Sequence, residues 1–407
     1  MRILALGAAG EIGRTAARVL VGDDRITQLV VADRDARAAT RVARSLGAKA
    51  VPLALDVTDR SSLDAAMRNC DLVINTVGPF FVFGPPILSA AIDAGRDYID
   101  ICDDPEPTLE MLGFDDRAKA AGVTALVGMG ASPGVANLLA VIAGRELDTV
   151  DTVITAWNIT AAQSDSDGTG ATSAAIVHGM KQISGTIPVI RARRLERRPA
   201  LARIRVSYPG IGPVRGRSFG HPEGVTLSRV FPGLRESTNM VVGDRLTLTV
   251  VSLLRWVIDQ RIMTIDRAAY VAARLGRLMV DKPAHILTSG GAPPLFALAT
   301  GCRRDSAGTV ATALAQLPGL SMAANTAVPL AVAIPLMAAN RRPGVHTPET
   351  LLDPAEFFSA FASHCIGAPA PAAMTITTRS WASPEDNAAA LNTSLLTALL
   401  RAGAEHT

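Results

Sequence analysis

Three glycines at a spacing of three, Gly7, Gly10 and Gly13, with Ala8, Ala9, Glu11 and Ile12 between them, form a pattern suited to holding a diphosphate. A chain that turns sharply, lets its backbone approach a pyrophosphate and then opens a helix against a sheet has no room for Cβ atoms at those points. The amides and positive dipole end of the helix then face the anion, with Ala9, Glu11 and Ile12 sharing the approach. A tight turn without a ligand is the plainer alternative. Asp33 follows twenty residues after Gly13, where an acid accepts hydrogen bonds from adenosine ribose hydroxyls and so favours NAD. Arg34 and Arg37 beside it suit a 2′-phosphate, which leaves NADP open. Asp56 and Val57 are placed to border the adenine. Thr76, Val77, Gly78 and Pro79 are placed to border the nicotinamide ribose.

A second set of residues has the types needed to move a proton or hold an anionic substrate. Asp100, Asp103 and Asp104 follow a strand end, where open parallel sheets keep their ligands. One of them is expected to hold a substrate ammonium or take its proton; a helix cap is the alternative for Asp104. His178 and Lys181 lie one helical turn apart and share a face, as they would on any surface helix. His221, in a glycine-rich turn, carries the side chain easiest to poise near neutral pH; a structural donor is the alternative. Arg215 and Arg217 are candidates for bidentate contact with substrate carboxylates. Asn75 and Asn137 are expected to fix loops. No cluster has metal-ligand spacing, so no metal is expected.

These residues need a scaffold, and the apolar runs supply one. Runs over 2–6, 27–32, 50–57 and 71–77 alternate with helical stretches, followed by strands over 97–100 and 124–128 and helices over 85–94 and 106–121. Such alternation implies a parallel sheet covered on both faces. After Gly134 the pattern changes to a helix over 135–145 and to alternating strands over 150–159 and 204–208. Residues 245–254 read as a strand, alone or leading into a helix. Helices return over 266–279 and 320–339, and Asp353-Pro354 opens another. The polar stretch 163–170 is expected to be a loop over a cleft. Residues 191–217 hold nine arginines and one glutamate, which suits a solvated connection, an anionic-substrate funnel or attachment to an acidic surface.

The 407 residues are 48% hydrophobic with a net charge of +3, ordinary for about two domains and too weak a charge to imply a nucleic-acid partner. Four scattered cysteines fit thiols in a reducing cytoplasm. The first strand begins at Arg2, so no signal peptide is expected. The apolar stretch 317–339 contains three prolines and one asparagine and reads as buried, so no integral membrane segment is expected.

The loop Gly7 to Gly13, the run Asn75-Thr76-Val77-Gly78-Pro79-Phe80, Gly84-Pro85-Pro86, Ala94 to Ile101, Gly128-Met129-Gly130-Ala131-Ser132-Pro133-Gly134 with Asn137, and Gly344 to Glu349 with Phe357-Phe358 together resemble the saccharopine dehydrogenase-like oxidoreductases. The resemblance is specific over the first 140 residues, weaker over about 340–365, and general between. It implies an α/β fold: a discontinuous Rossmann domain over 1–131 completed by 321–407, with an α+β substrate and dimerisation domain over 132–320. It further implies hydride transfer at a C–N bond between a nicotinamide cofactor and a carboxylate-bearing amine or imine, in a homodimer. One departure stands out, since the family's Gly-Glu pair after Tyr-x-Asp is replaced here by Cys102-Asp103-Asp104. A non-catalytic nucleotide-binding or membrane-associated interaction protein is the alternative; dinucleotide binding without turnover would favour it.

Overall fold

The computed structural model describes residues 1–159, 174–279, 292–319 and 321–382. Strands β1 (Arg2–Leu6), β2 (Gln28–Asp33), β3 (Ala50–Ala54), β4 (Leu72–Asn75), β5 (Asp97–Asp100) and β6 (Thr124–Leu126) each follow a helix or precede one. They lie parallel in the order β6-β5-β4-β1-β2-β3. Side chains alternate between the two faces, as a strand requires. Ile3, Ala5, Leu29 and Val31 pack on one side with the helices Glu11–Leu20 and Ala36–Leu46. Leu4, Leu6, Val73 and Tyr98 pack on the other with the helices Arg60–Arg68 and Phe80–Asp93. Asp35 and Asp59 start two of these helices by accepting N–H bonds of the first turn.

The second sheet is built from β7 (Thr149–Asn158), β8 (Thr186–Arg191), β9 (Arg194–Pro199), β10 (Arg203–Tyr208), β11 (Gly212–Phe219), β12 (Glu236–Val242), β13 (Leu295–Arg303) and β14 (Ser306–Leu314). The chain then returns: β15 (Gly344–His346) extends the first sheet by pairing parallel with β6, whereas β16 (Thr375–Trp381) pairs with β14 of the second. The C-terminal stretch therefore divides between the sheets, where the sequence reading gave all of 321–407 to the first. Thr312, Thr377 and their neighbours pair so well across β14 and β16 that the last strand stays with the second sheet.

Arg245–Asp259 is a helix throughout, not a strand leading into one. Asp244 caps it by accepting from Thr247 N–H, and this local start outweighs the β-branched run Thr247 to Val251. The helix Val135–Gly144 is buried along nearly its whole length, and shares one core with β13 and the first domain. Among the described residues Met322–Ala339, of mean hydropathy 1.6, is long and apolar enough by length and composition to cross a membrane. It packs against the helix Glu11–Leu20, with Ala327, Leu330, Ala333 and Ile334 buried. The stretch 163–170, read as a loop over a cleft, lies outside the described residues.

Candidate functional site

The glycine loop joins β1 to its helix at the carboxyl edge of the first sheet. Gly7 sits at φ +72°, and a Cβ there would come within 3.1 Å of Thr76 O, Thr76 Oγ1 and Val77. At Gly13 a Cβ would meet Gly7 O at 2.5 Å and Ala8 Cα at 2.7 Å. Both glycines are demanded by the protein's own packing. Gly10 differs: a Cβ would touch only Gly7 O, at 3.2 Å, and as N-cap it offers no side chain to the helix. The bare helix start flanked by Ala9, Glu11 and Ile12 is the feature a diphosphate fits.

Asp33 is tied into this loop. Its carboxylate accepts from Ala9 N (3.3 Å) and Asp35 N (3.1 Å). Arg34 is exposed next to it, and its charge helps the Thr58 hydrogen bonds hold Asp56 below the usual carboxylate range. Val57 packs against the core on the face of the first sheet that carries Leu4 and Leu6. Thr76 Oγ1 donates to Leu6 O (2.8 Å), Val77 N donates to Asn75 Oδ1 (2.9 Å), and Pro79 caps the helix Phe80–Asp93 after exposed Gly78. All of the residues read as cofactor-binding thus gather on the carboxyl ends of β1 to β4.

Asp100 does not face a ligand. It is fully buried, and accepts from Tyr98 Oη (2.8 Å), Cys102 N (3.0 Å) and Gly128 N (2.7 Å). Burial pushes its carboxyl up to about 6 despite these donors. Its substrate-binding reading is therefore corrected: Asp100 braces the loop that carries Asp103. Tyr98 Oη also accepts from Asn75 Nδ2 (3.0 Å), which links β4 to β5. Tyr98→Phe is expected to cost about 1–3 kcal/mol, because it strands two buried polar groups. A fall in the urea midpoint at constant slope checks this.

From that brace the two next acids reach across to the second domain. His178, on the helix Ala174–Gln182, has Nε2 at 3.0 Å from Asp103 Oδ1 and 3.4 Å from Asp104 Oδ1. Gln182 Nε2 donates to Asp103 O at 3.0 Å. Burial opposes charge on all three groups, and the pairing outweighs it for Asp103 and His178. Asp103 is held below the usual carboxylate range by His178, and His178 is raised to about 9 by Asp103 and Asp104. Asp104, buried beside the Asp103 charge, rises to about 6. It stands at the start of the helix Pro105–Leu112 without a side-chain cap bond, and its Oδ2 is buried without a partner. One oxygen from each acid and one nitrogen of His178 lie within 4.8 Å of one another, close enough for a cation. Their mutual hydrogen bonding describes an ion pair with a shared proton equally well.

Lys181 stands at the rim, exposed, with its ammonium 2.9 Å from the centroid of the Phe81 ring. His221 is buried behind the ion pair. It stacks on Trp157 (6.0 Å, 10°) and meets the Phe219 ring edge-on (4.8 Å), and burial holds it neutral by lowering it to about 4. Its Nδ1 is 3.1 Å from Ser132 Oγ, and Ser132 donates in turn to Glu223. Asn239 and Glu223 complete this group, and the sequence reading assigned no role to Ser132, Glu223 or Asn239. The only signal was the tripeptide His221-Pro222-Glu223 itself. Asn137 accepts from Gly134 N and donates to Glu349, fixing the domain crossing as expected.

Arg215 and Arg217 are not brought to this cluster. They lie four and two residues before Phe219 on β11, opposite Arg205 and Arg203 on β10, and form no ion pair with it among the described residues. Arg215 is exposed between buried Val214 and Gly216, so the alternation along β11 turns its side chain to solvent.

Residues 3–126 match the saccharopine dehydrogenase NADP binding domain. A probable mitochondrial saccharopine dehydrogenase-like oxidoreductase of Arabidopsis thaliana is 31% identical over 33% of this chain and 33% of its own. The carboxynorspermidine synthase of Vibrio cholerae is 27% identical over 60% of this chain and 64% of its own. The chain thus aligns with about a third or less of the first curated relatives it matches. The fold of saccharopine dehydrogenase (L-Glu forming) from Saccharomyces cerevisiae superposes with a TM-score of 0.59 at 16% identity, over 94% of this chain and all of that one. With the glycine loop, the returning strand β15 and the two-sheet architecture in place, residues 3–126 are similar to the saccharopine dehydrogenase NADP binding domain, and the chain as a whole shares the fold of that yeast enzyme.

Proposed function

We propose that this protein is an NAD(P)-dependent oxidoreductase that acts on the C–N bond of an amino-acid-derived, carboxylate-bearing amine or imine. The observation that carries the reading is the Asp103–Asp104–His178 cluster, which joins the loop after β5 of the first domain to the helix Ala174–Gln182 of the second. The residues fit a dinucleotide, because Gly10 leaves the helix start uncapped and Asp33 stands beside it. When bound, that cofactor supplies or accepts the hydride. The chain's own residues manage the rest. Protonated His178, held charged by Asp103, gives a proton to the substrate nitrogen in reduction and receives it back in oxidation. Lys181, exposed at the rim, attracts a substrate carboxylate.

Two features bear on the cofactor. Asp33 spends its oxygens on Ala9 and Asp35, whereas Arg34 is exposed and positioned for a 2′-phosphate. NADP use fits this arrangement and the domain's family, and it reverses the leaning toward NAD that Asp33 alone suggests. Arg34→Ala is expected to weaken NADPH about tenfold or more while leaving NADH within a factor of two, as one lost charge-assisted contact predicts. Fluorescence titration with both nucleotides measures the ratio. The activity is tested by oxidation of a panel of N-carboxyalkyl amino acids with NADP+ and NAD+, followed by the absorbance of the reduced nicotinamide. Tight dinucleotide binding with no turnover on any member would favour a non-catalytic nucleotide-binding protein.

A further inference from the structure

We propose that His221, Ser132 and Glu223 form a proton relay behind the His178–Asp103 pair, in which His221 Nε2 takes a proton from the reacting molecule and Glu223 stores it. The inference rests on the oxidoreductase reading only in requiring a substrate that loses a proton. Its geometry is independent of that reading.

Hydrogen-bond bookkeeping decides the direction. A hydroxyl has one hydrogen to give and two lone pairs to receive. Ser132 gives its hydrogen to Glu223 Oε1. Asn239 Nδ2 donates to Ser132 Oγ at 3.2 Å and also to Glu223 Oε1 at 3.3 Å and Thr155 Oγ1 at 2.9 Å. The remaining lone pair of Ser132 faces His221 Nδ1 at 3.1 Å. While Glu223 is ionised the serine hydrogen is committed to it, so Nδ1 is the protonated nitrogen and donates. Neutral His221 then carries its basic lone pair on Nε2, on the side of the ring away from Ser132. The stacking rings of Trp157 and Phe219 fix that orientation.

The transfer balances with protons alone. As Nε2 gains a proton, Nδ1 releases one to Ser132 Oγ, and the serine hydroxyl releases its own to Glu223. Nothing is oxidised or reduced, and the net change is a carboxylate turned into a carboxylic acid. Glu223 is suited to the last position. It is fully buried, and its Oε2 has no protein partner. Burial, with the charges of Glu349 and Asp103, brings it up to about 7, where it both takes and returns a proton. The groups that act on it are Ser132, Asn239 and His221 by contact, and Glu349 and Asp103 by charge. Asp103 and His178 act on His221 by charge. His221 is a catalytic residue in this arrangement, whereas Ser132 and Glu223 act through it.

The test needs no substrate. In full-length protein labelled with 15N-histidine, the imidazole correlation of His221 is assigned from its loss in His221→Asn. The expected result is the Nδ1–H tautomer at neutral pH and a chemical-shift step near pH 7 from Glu223. That step disappears in Glu223→Gln, which keeps the acceptor oxygen but cannot be ionised. In Ser132→Ala, which carries the test if Glu223→Gln fails to fold, the tautomer preference is lost and the step shrinks at least severalfold. An Nε2–H tautomer in the wild type, or an unchanged step in either variant, overturns the relay. NADPH binding on the same samples tests the oxidoreductase reading separately.

Discussion

Replacing Asp103 with asparagine is expected to lower turnover by about 10²–10⁴, the usual effect of disabling a positioned acid or base. The argument runs through His178. Its raised value of about 9, against an ordinary 6.5, depends on the hydrogen bond and charge of Asp103 together with the charge of Asp104. Asparagine keeps the size of the side chain but removes its charge. The upper limb of the pH–rate profile, set near pH 9 in the wild type, then moves down toward 6.5. Stability follows the same sign. A histidine whose folded value is raised stabilises the fold fully below 6.5, and the contribution is lost as pH rises through about 9. Asp103→Asn is therefore less stable than wild type at pH 6 and little different at pH 10. Dinucleotide affinity stays within about twofold, since the glycine loop lies on other strands. Kinetics on an accepted substrate and unfolding at the two pH values check these outcomes, and an unmoved upper limb would assign the proton elsewhere.

The second large effect separates two kinds of glycine in one motif. Gly13→Val places a Cβ within 2.5 Å of Gly7 O and 2.7 Å of Ala8 Cα, both backbone atoms that yield only if the helix Glu11–Leu20 moves off the sheet. Overpacking of this kind costs about 1–3 kcal/mol or more, and it displaces the dinucleotide loop along with the helix. Loss of NADPH binding together with a clear fall in melting temperature is the expected result. Gly10→Ala behaves differently. Its methyl meets one carbonyl oxygen at 3.2 Å and otherwise faces outward from the helix start. The fold keeps most of its stability while binding weakens at least tenfold. Equal effects of the two substitutions on stability would show that Gly10 also is a packing residue.

The parallel strands of the first domain were legible because each is a short apolar run closed by a glycine or an acid, so burial on both faces leaves a signature in sequence. The second sheet is less so. β9 and β10 carry arginines on exposed faces, and their register depends on pairing with β8 and β11, partners that local pattern does not name. The same contrast holds in the site. Asp103 and Asp104 were identified by type and by position after a strand end, His178 by sharing a helix face with Lys181, and the fold brings the three into contact. Asp100 looked equivalent to them, but the pleat turns it inward to Tyr98. Ser132, Glu223 and Asn239 escaped notice because they meet only through the crossing of three separate segments, and apart from His221 beside Glu223 none has a partner nearby in sequence.

The strand β15 has a consequence for how the protein is made. Its pairing with β6 joins the two ends of a domain whose first half leaves the ribosome long before the second. At roughly 5–20 residues per second, the nascent chain waits on the order of tens of seconds before residue 346 appears. During that interval the edge of Thr124–Leu126 is open, and the helix Glu11–Leu20 lacks the cover of Met322–Ala339. The domain that emerges first is thus completed late, and the unfinished intermediate has both a free strand edge and a bare apolar face for a chaperone to hold.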